Sequence, residues 1–299
     1  VQFSLANGVW VSDKAQLRTA YQKAVESLQS AVKPSDFVKE HQQITAEINK
    51  WVEGRTNDRI KNLIPAGVLG IDTVAVLVNA LFFLGKWEMK FPGTGTVKGT
   101  KFFITPEETT EVSMMSLKAP LKYATNDVAD YVQLPYEGKR FAMELIVPKA
   151  VDGIAAVLDR LRPSDAGSIL ETLRNASNQQ REMVQLFLPK FTVETGGEIT
   201  DLLRQAGLPL TFSAQPELSN MFEGPEKVFV SNCFHKVFMQ VDEDGTEAAA
   251  ATALVMTRSM IVREPPIPIV RVDRPSIVLL TDLETKNILF IGLLRNPSK

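Results

Sequence analysis

Residues 241–268 read VDEDGTEAAAATALVMTRSMIVREPPIP, and the rest of the chain is best understood from this stretch. It continues an alternating apolar segment, passes Gly245, and enters a run of tiny side chains, Ala248 to Ala251, then Thr252 and Ala253, before a proline cluster. A linker would be richer in Gly, Ser and charge. A surface helix would carry a cap and a stripe of larger apolar residues. An Ala-rich surface helix or loop is the bland reading, and it explains neither absence. Small inward side chains are what a segment needs if it must slide between two existing strands.

Working outward, the composition bounds what the protein can be. The 299 residues allow one large domain or two average ones, and 44% hydrophobic content supports a sizeable core. A net charge of −2 offers no global basic field for nucleic acid or anionic membrane. No apolar run approaches the roughly 18 residues of a membrane span. With one Cys and two His, no zinc cluster of usual spacing can be built and no cofactor is expected. Cys233 and His235 share a strand face, but Phe229, Val237, Met239 and Val241 lie on it too. That makes it a core face, with an inert thiol and a satisfied histidine rather than a catalytic pair. No GxSxG elbow or HExxH pair is present, and FPGTGTVKGTK (Phe91–Lys101) has the wrong spacing for a phosphate loop. It reads as a turn leading to a strand, and Lys86, Lys90, Lys98 and Lys101 as a solvated edge. The chain is not expected to be an enzyme.

Periodicity supplies the elements. Gln2–Val11 alternates as a strand, with a break expected at Asn7-Gly8. Ser12 or Asp13 is expected to cap a helix whose face carries Leu17, Ala20, Tyr21, Ala24, Val25 and Leu28. A second amphipathic helix carries Ile44, Ile48, Trp51 and Val52 and ends near Gly54. Thr73–Phe83 is a continuous β-branched run, the mark of a central buried strand, and its one polar interruption, Asn79, needs partners. Further strands are expected at Thr110–Met115, Tyr131–Pro135, Ala142–Pro148, Val184–Val193, Val228–Val241, Ser276–Leu280 and Ile288–Leu294. Helical patterns occupy Ile154–Leu161 and Ser168–Leu173, and a turn at Gly196-Gly197 leads into a short helix with Ile199, Leu202 and Leu203. Without a βαβ rhythm or an internal repeat the class is α+β, read as one domain over 1–299.

Several blocks resemble serpins, the serine-protease-inhibitor superfamily. GTEAAAAT after VDED resembles their hinge, and LVNALFFLGKWEMKF (Leu77–Phe91), LPKFTVETG (Leu188–Gly196), VSNCFHKVFMQVDEDGTEAA (Val230–Ala249) and LFIGLLRNP (Leu289–Pro297) follow the family's order along nearly the whole chain. The resemblance implies the serpin fold: a large central mixed β-sheet, smaller sheets, surrounding helices and an exposed reactive loop, here about 245–268. It also implies that the chain starts inside the fold, without the family's N-terminal helices. A fragment or processed form is expected, since a missing layer would expose a sheet face.

The family mechanism would then assign roles. A target protease cuts the loop and becomes acylated, and the loop inserts into the main sheet as a new strand. Gly245, Thr246, Glu247, Ala248, Ala249, Ala250 and Ala251 match the hinge; the inward set would be Thr246, Ala248, Ala250, Thr252 and Leu254, free of charge and proline. Glu243 and Lys190 match a pair that ties the loop base to its neighbour. Trp87 matches the breach where insertion begins, and Asn79 with His235 the shutter where the sheet opens. The reactive bond is Arg258-Ser259, with Arg263-Glu264 as the alternative; either suits a trypsin-like serine protease through a cationic bait residue. A non-inhibitory carrier, or an inhibitor of cysteine proteases, remains an alternative. A polyanion such as a glycosaminoglycan is a candidate second partner. Asn175-Ala176-Ser177 is a glycosylation sequon, consistent with a secreted, extracellular protein. Ser276 stands where the family block carries Phe. Because insertion would bury the new charge, Thr246→Arg is expected to convert inhibitor into substrate. Denaturing gels read this directly: the variant should be cleaved without forming a complex that survives denaturation.

Overall fold

The computed structural model describes residues 1–28, 30–160, 180–213, 218, 221–223, 229–245 and 266–298. In chain order the elements begin with β1 (Gln2–Ser12), β2 (Gln16–Leu17), α1 (Thr19–Ser27), β3 (Ala31–Ser35), α2 (Phe37–Arg55) and β4 (Ala75–Leu84). There follow β5 (Val97–Phe103), β6 (Thr109–Thr125), β7 (Ala129–Pro135), β8 (Phe141–Pro148), α3 (Ile154–Asp159) and β9 (Glu182–Pro189). The chain continues through β10 (Phe191–Glu198), α4 (Thr200–Gln205), β11 (Phe222–Glu223), β12 (Asn232–Val241), β13 (Ile269–Arg271), β14 (Ser276–Asp282) and β15 (Asn287–Leu294). Backbone contacts group these into two units, Gln2–Phe83 with Val193–Met239, and Val1 with Leu84–Thr192 and Gln240–Lys299.

The first unit is built on the five-stranded sheet β10-β12-β4-β1-β3. β4 and β12 are central neighbours and run parallel, in register from Val76↔Asn232 to Phe82↔Phe238. β4 is buried on both faces, as its unbroken apolar run requires. One face is covered by α2. Asp36 caps that helix by accepting the Lys39 N–H at 3.1 Å, and Ile44, Ile48 and Val52 recur on its inner side. They pack on Trp10 of β1, Val76, Val78 and Ala80 of β4, and Phe234 of β12.

The second unit carries the eight-stranded mixed sheet β13-β9-β6-β7-β8-β14-β15, with β5 on β6. β13 pairs with β9 in parallel and the other registered pairs are antiparallel. β14 is buried along its whole length, whereas β15 leaves Ile288 and Ile291 exposed. Helices beside a mixed sheet make the class α+β, as expected.

The local expectations fail in instructive places. β1 is not interrupted at Gly8. A Cβ there would lie 2.3 Å from the Trp10 ring, so the glycine makes room for the indole on its own strand. The helix after β1 starts at Thr19 rather than after Ser12 or Asp13, because Gln16 and Leu17 pair with β11. Of its expected apolar face only Val25 is buried in α1, and Leu28 beyond it is exposed. Val184–Val193 is two strands in different sheets, divided at Lys190. Gly196 and Gly197 belong to β10 and do not turn the chain. Gly196 has φ +138° and lies so close to β12 that a Cβ would sit 2.1 Å from the His235 carbonyl oxygen. α3 ends at Asp159, and the expected helix Ser168–Leu173 falls outside the described residues. β12 starts at Asn232, not Val228.

Gly196→Ala tests this close approach. Backbone strain plus the clash is expected to cost about 2 kcal/mol or more in unfolding free energy. Urea denaturation of the variant beside the parent measures it.

Candidate functional site

Two groups of side chains stand out, one in each unit. In the first, β4 and β12 place Asn79 and His235 directly opposite one another. His235 Nδ1 donates to Asn79 Oδ1 at 2.6 Å, and Asn79 Nδ2 donates to Asn7 Oδ1 on β1. Three strands are thus linked by a chain of side-chain hydrogen bonds across the middle of the sheet. Burial holds the His235 imidazole below its ordinary pKa, which keeps it neutral. Cys233, two residues away, is buried, and its thiol is pushed up to about 11, chiefly by desolvation with a smaller contribution from Glu198. A thiol so rarely ionised at neutral pH is packing, not a nucleophile.

In the second unit the chain leaving β12 makes a tight turn over Asp242–Gly245. The buried Asp242 carboxylate accepts the Asp244 and Gly245 N–H groups at 3.0 and 3.2 Å. Burial raises its pKa, and the nearby Lys190 opposes that shift. Trp87 is fully buried; its Nε1 donates to the Asp242 carbonyl at 2.9 Å and its ring stacks on Tyr136, centroids 4.4 Å apart. Lys190 Nζ meets Glu243 Oε2 at 2.6 Å, and Thr96 Oγ1 donates to Glu243 Oε1 at 2.8 Å. Burial alone would raise the Glu243 pKa, but these two donors hold it below the ordinary value. Lys90 Nζ reaches Asp244 Oδ1 at 2.8 Å. Gly245 forms an antiparallel bridge with Lys86, and with φ +132° it approaches so closely that a Cβ would lie 2.1 Å from the Gly85 carbonyl oxygen. Only glycine fits there.

The structure therefore joins Asn79 to His235, and Lys190 to Glu243, while Trp87 and Gly245 brace the same turn. Thr246, Glu247, Ala248 to Ala251, Arg258, Ser259, Arg263, Glu264 and Asn175 lie outside the described residues. Sequence reading missed Asn7, taken for a break, and also Asp242, Thr96 and Tyr136. An Asn in an alternating apolar strand was the available signal for Asn7. Ser276 is fully buried and its Oγ donates to the Arg274 carbonyl at 2.8 Å, so the small residue is internally satisfied. No group of three or more His, Cys, Asp or Glu suited to a metal occurs among the described residues.

Comparison with known proteins covers the whole chain. The family model described as Serpin (serine protease inhibitor) matches residues 1–297. A serine protease inhibitor of Cyanea capillata is 38% identical over 98% of this chain and 76% of its own length. Serpin-Z1B of Triticum aestivum is 33% identical over 98% of this chain and 74% of its own. Among solved structures, AtSerpin1 of Arabidopsis in its native stressed conformation superposes with a TM-score of 0.84 at 28% identity, covering 100% of this chain and 77% of that one. The chain thus spans about three quarters of the length of these relatives.

The neutral His235 has a pH consequence. Its folded pKa lies below the ordinary histidine value of 6.5, so the unfolded chain binds the extra proton first and stability falls as pH drops through that value. His235→Gln should flatten this part of the profile, as read by thermal melts taken between pH 7.5 and 5.

Proposed function

Because this chain belongs to the serpin family of serine protease inhibitors, we propose that it inhibits a trypsin-like serine protease as a suicide substrate cut at Arg258-Ser259. The protease serine attacks the Arg258 carbonyl and the peptide bond breaks with release of the Ser259 amine, leaving an ester between Arg258 and the enzyme. The freed segment then enters the sheet between β4 and β12, carrying the acylated protease with it. Family members of this kind are inhibitors rather than catalysts.

The observation that carries this reading is the parallel pairing of β4 with β12. A segment that follows β12 and turns back at Gly245 runs antiparallel to both. It can hydrogen-bond on each side in the more favourable pattern. The Lys86–Gly245 bridge supplies a starting register. Stepped one residue down β4 for each residue along the loop, it would set Thr252 opposite Asn79 and Met256 opposite Ala75, where β4 begins. A cut after Arg258 then leaves a segment that fills the strand with almost nothing over. A cut after Arg263 would leave five more residues hanging past its end. Small side chains at Thr246, Ala248, Ala250 and Thr252 suit the narrow gap. In this reading the Lys190–Glu243 pair and the Trp87 contacts hold the loop base until cleavage, and the Asn79–His235 bond holds the seam.

The test mixes the protein with trypsin, resolves the products on a denaturing gel and sequences any released C-terminal peptide. A denaturation-resistant complex with a new N-terminus at Ser259 is expected. A new N-terminus at Glu264 would move the bait to Arg263. Clean cleavage with no complex and no gain in heat stability would overturn the inhibitory reading in favour of a carrier.

A further inference from the structure

In the second unit the two faces of the β13–β9 pair are treated differently. On one face Val270 stands opposite Leu186, and both are buried. On the other, Ile269 stands opposite Gln185 and Arg271 opposite Phe187. Ile269 and Arg271 are exposed there, and Gln185 and Phe187 are half-buried. Gln185 Nε2 donates to Ser116 Oγ of β6 at 2.8 Å, which ties this open face across three strands.

Arg271 is the residue that sets this face apart. Its guanidinium carbon lies 3.8 Å from the centroid of the Phe187 ring, whereas the other cation–ring pairs among the described residues stand at 5.1 Å or more. A guanidinium stacked this closely loses much of its freedom yet keeps its N–H fork for a carboxylate. Among the described residues it forms no ion pair. Asp273, two residues on, is already held by Arg274 Nε at 2.8 Å. β13 is an edge strand, and an edge charge deters strand addition. A solvated lysine would serve that purpose equally well. An arginine ordered on an aromatic ring beside an exposed isoleucine has instead the composition of a protein contact.

The length of chain entering β13 says what that contact can meet. Pro268 is already fixed to β9, its carbonyl accepting the Gln185 N–H at 2.9 Å. Ten residues, 259–268, separate the Arg258-Ser259 bond from Ile269. Even fully extended, that stretch holds the bond within about 40 Å of the face. Pro266 and Pro268 restrict the last part of the approach. A protease domain of roughly 230 residues is itself about 45 Å across. An enzyme seated on the bond therefore has the flank of its leaving-group side within reach of β13.

We propose that Ile269, Arg271 and Phe187 form a second contact for the protease that cuts at Arg258-Ser259, with Arg271 receiving a carboxylate from the enzyme surface beside its active site. This rests on the inhibitory reading above. The bait residue selects a trypsin-like pocket, and Arg271 selects among the enzymes that have one.

The test offers the intact protein to trypsin, thrombin and plasmin and follows the enzyme that forms a denaturation-resistant complex fastest. Arg271→Ala should slow complex formation by that enzyme roughly tenfold, with the cut still after Arg258. The deficit should shrink as salt rises from about 0.05 to 0.5 M, because the lost attraction is screened. Arg271→Lys keeps the edge charge without the stacked fork and should recover only part of the rate. Arg271→Glu should be slower than the alanine variant, and with Arg271→Lys it carries the test if that variant does not fold. All variants should melt with the parent. Equal rates for parent and variants would overturn the second contact and leave the inhibitory reading standing. A slower rate with an unchanged salt dependence and a lowered melting temperature would make Arg271 a structural residue and overturn the proposal. No complex between the parent and any of the three enzymes would overturn both readings.

Discussion

Two strands that run the same way at the centre of a sheet, β4 and β12, are the constraint on which this molecule depends. Parallel neighbours cannot be joined by a tight hairpin, so the chain must travel a long way between them. Here it does so through more than 140 residues, from Leu84 to Asn232, including much of the second unit. Parallel pairing is also somewhat weaker per residue than the antiparallel kind. A seam of this sort is a place where hydrogen bonds can be exchanged for better ones without any strand being lost. The side chains beside it differ between the faces: an amide–imidazole bond bridges the seam on one, and α2 packs on the strands on the other.

Individual buried polar groups are satisfied to different degrees. Glu144 in the second unit is buried between apolar strands, yet both of its oxygens are met, Oε1 by Gln133 and Oε2 by Thr281 at 2.8 and 2.9 Å. A fully satisfied buried network of this kind stiffens its surroundings. In the first unit the Trp10 indole N–H, fully buried under α2, has no hydrogen-bond partner. An unmet buried donor costs on the order of 1–3 kcal/mol. That local deficit lies where α2 stands on the sheet.

Much of this was legible in the residues. The 3.6-residue recurrence of Ile44, Ile48 and Val52 marked α2, and the unbroken run ending in Phe83 marked β4, because both patterns reflect burial of one stripe or of two faces. Asn79 was conspicuous as the only amide in that run. What failed was information held in other strands. Gly8 and Gly196 look like breaks when read locally, but each is small because something else occupies the space, an indole in one case and a neighbouring backbone in the other. Lys190 divides two strands because its amide binds Ser113 of β6, which no periodicity records. Thr96 and Tyr136 joined the loop base only through three-dimensional contact. The hinge and reactive bond rest on family resemblance and on register.

Gly245 has an implication for how such a protein can change. The turn over Asp242–Gly245 ends with backbone lying against backbone, Gly245 on Gly85 and Lys86, with no side chain to exchange. Nothing in that contact refers to the side chains that follow in sequence. A change of side chain beyond Gly245 therefore leaves the contact as it is, so the sequence downstream can vary without any redesign of the turn that precedes it.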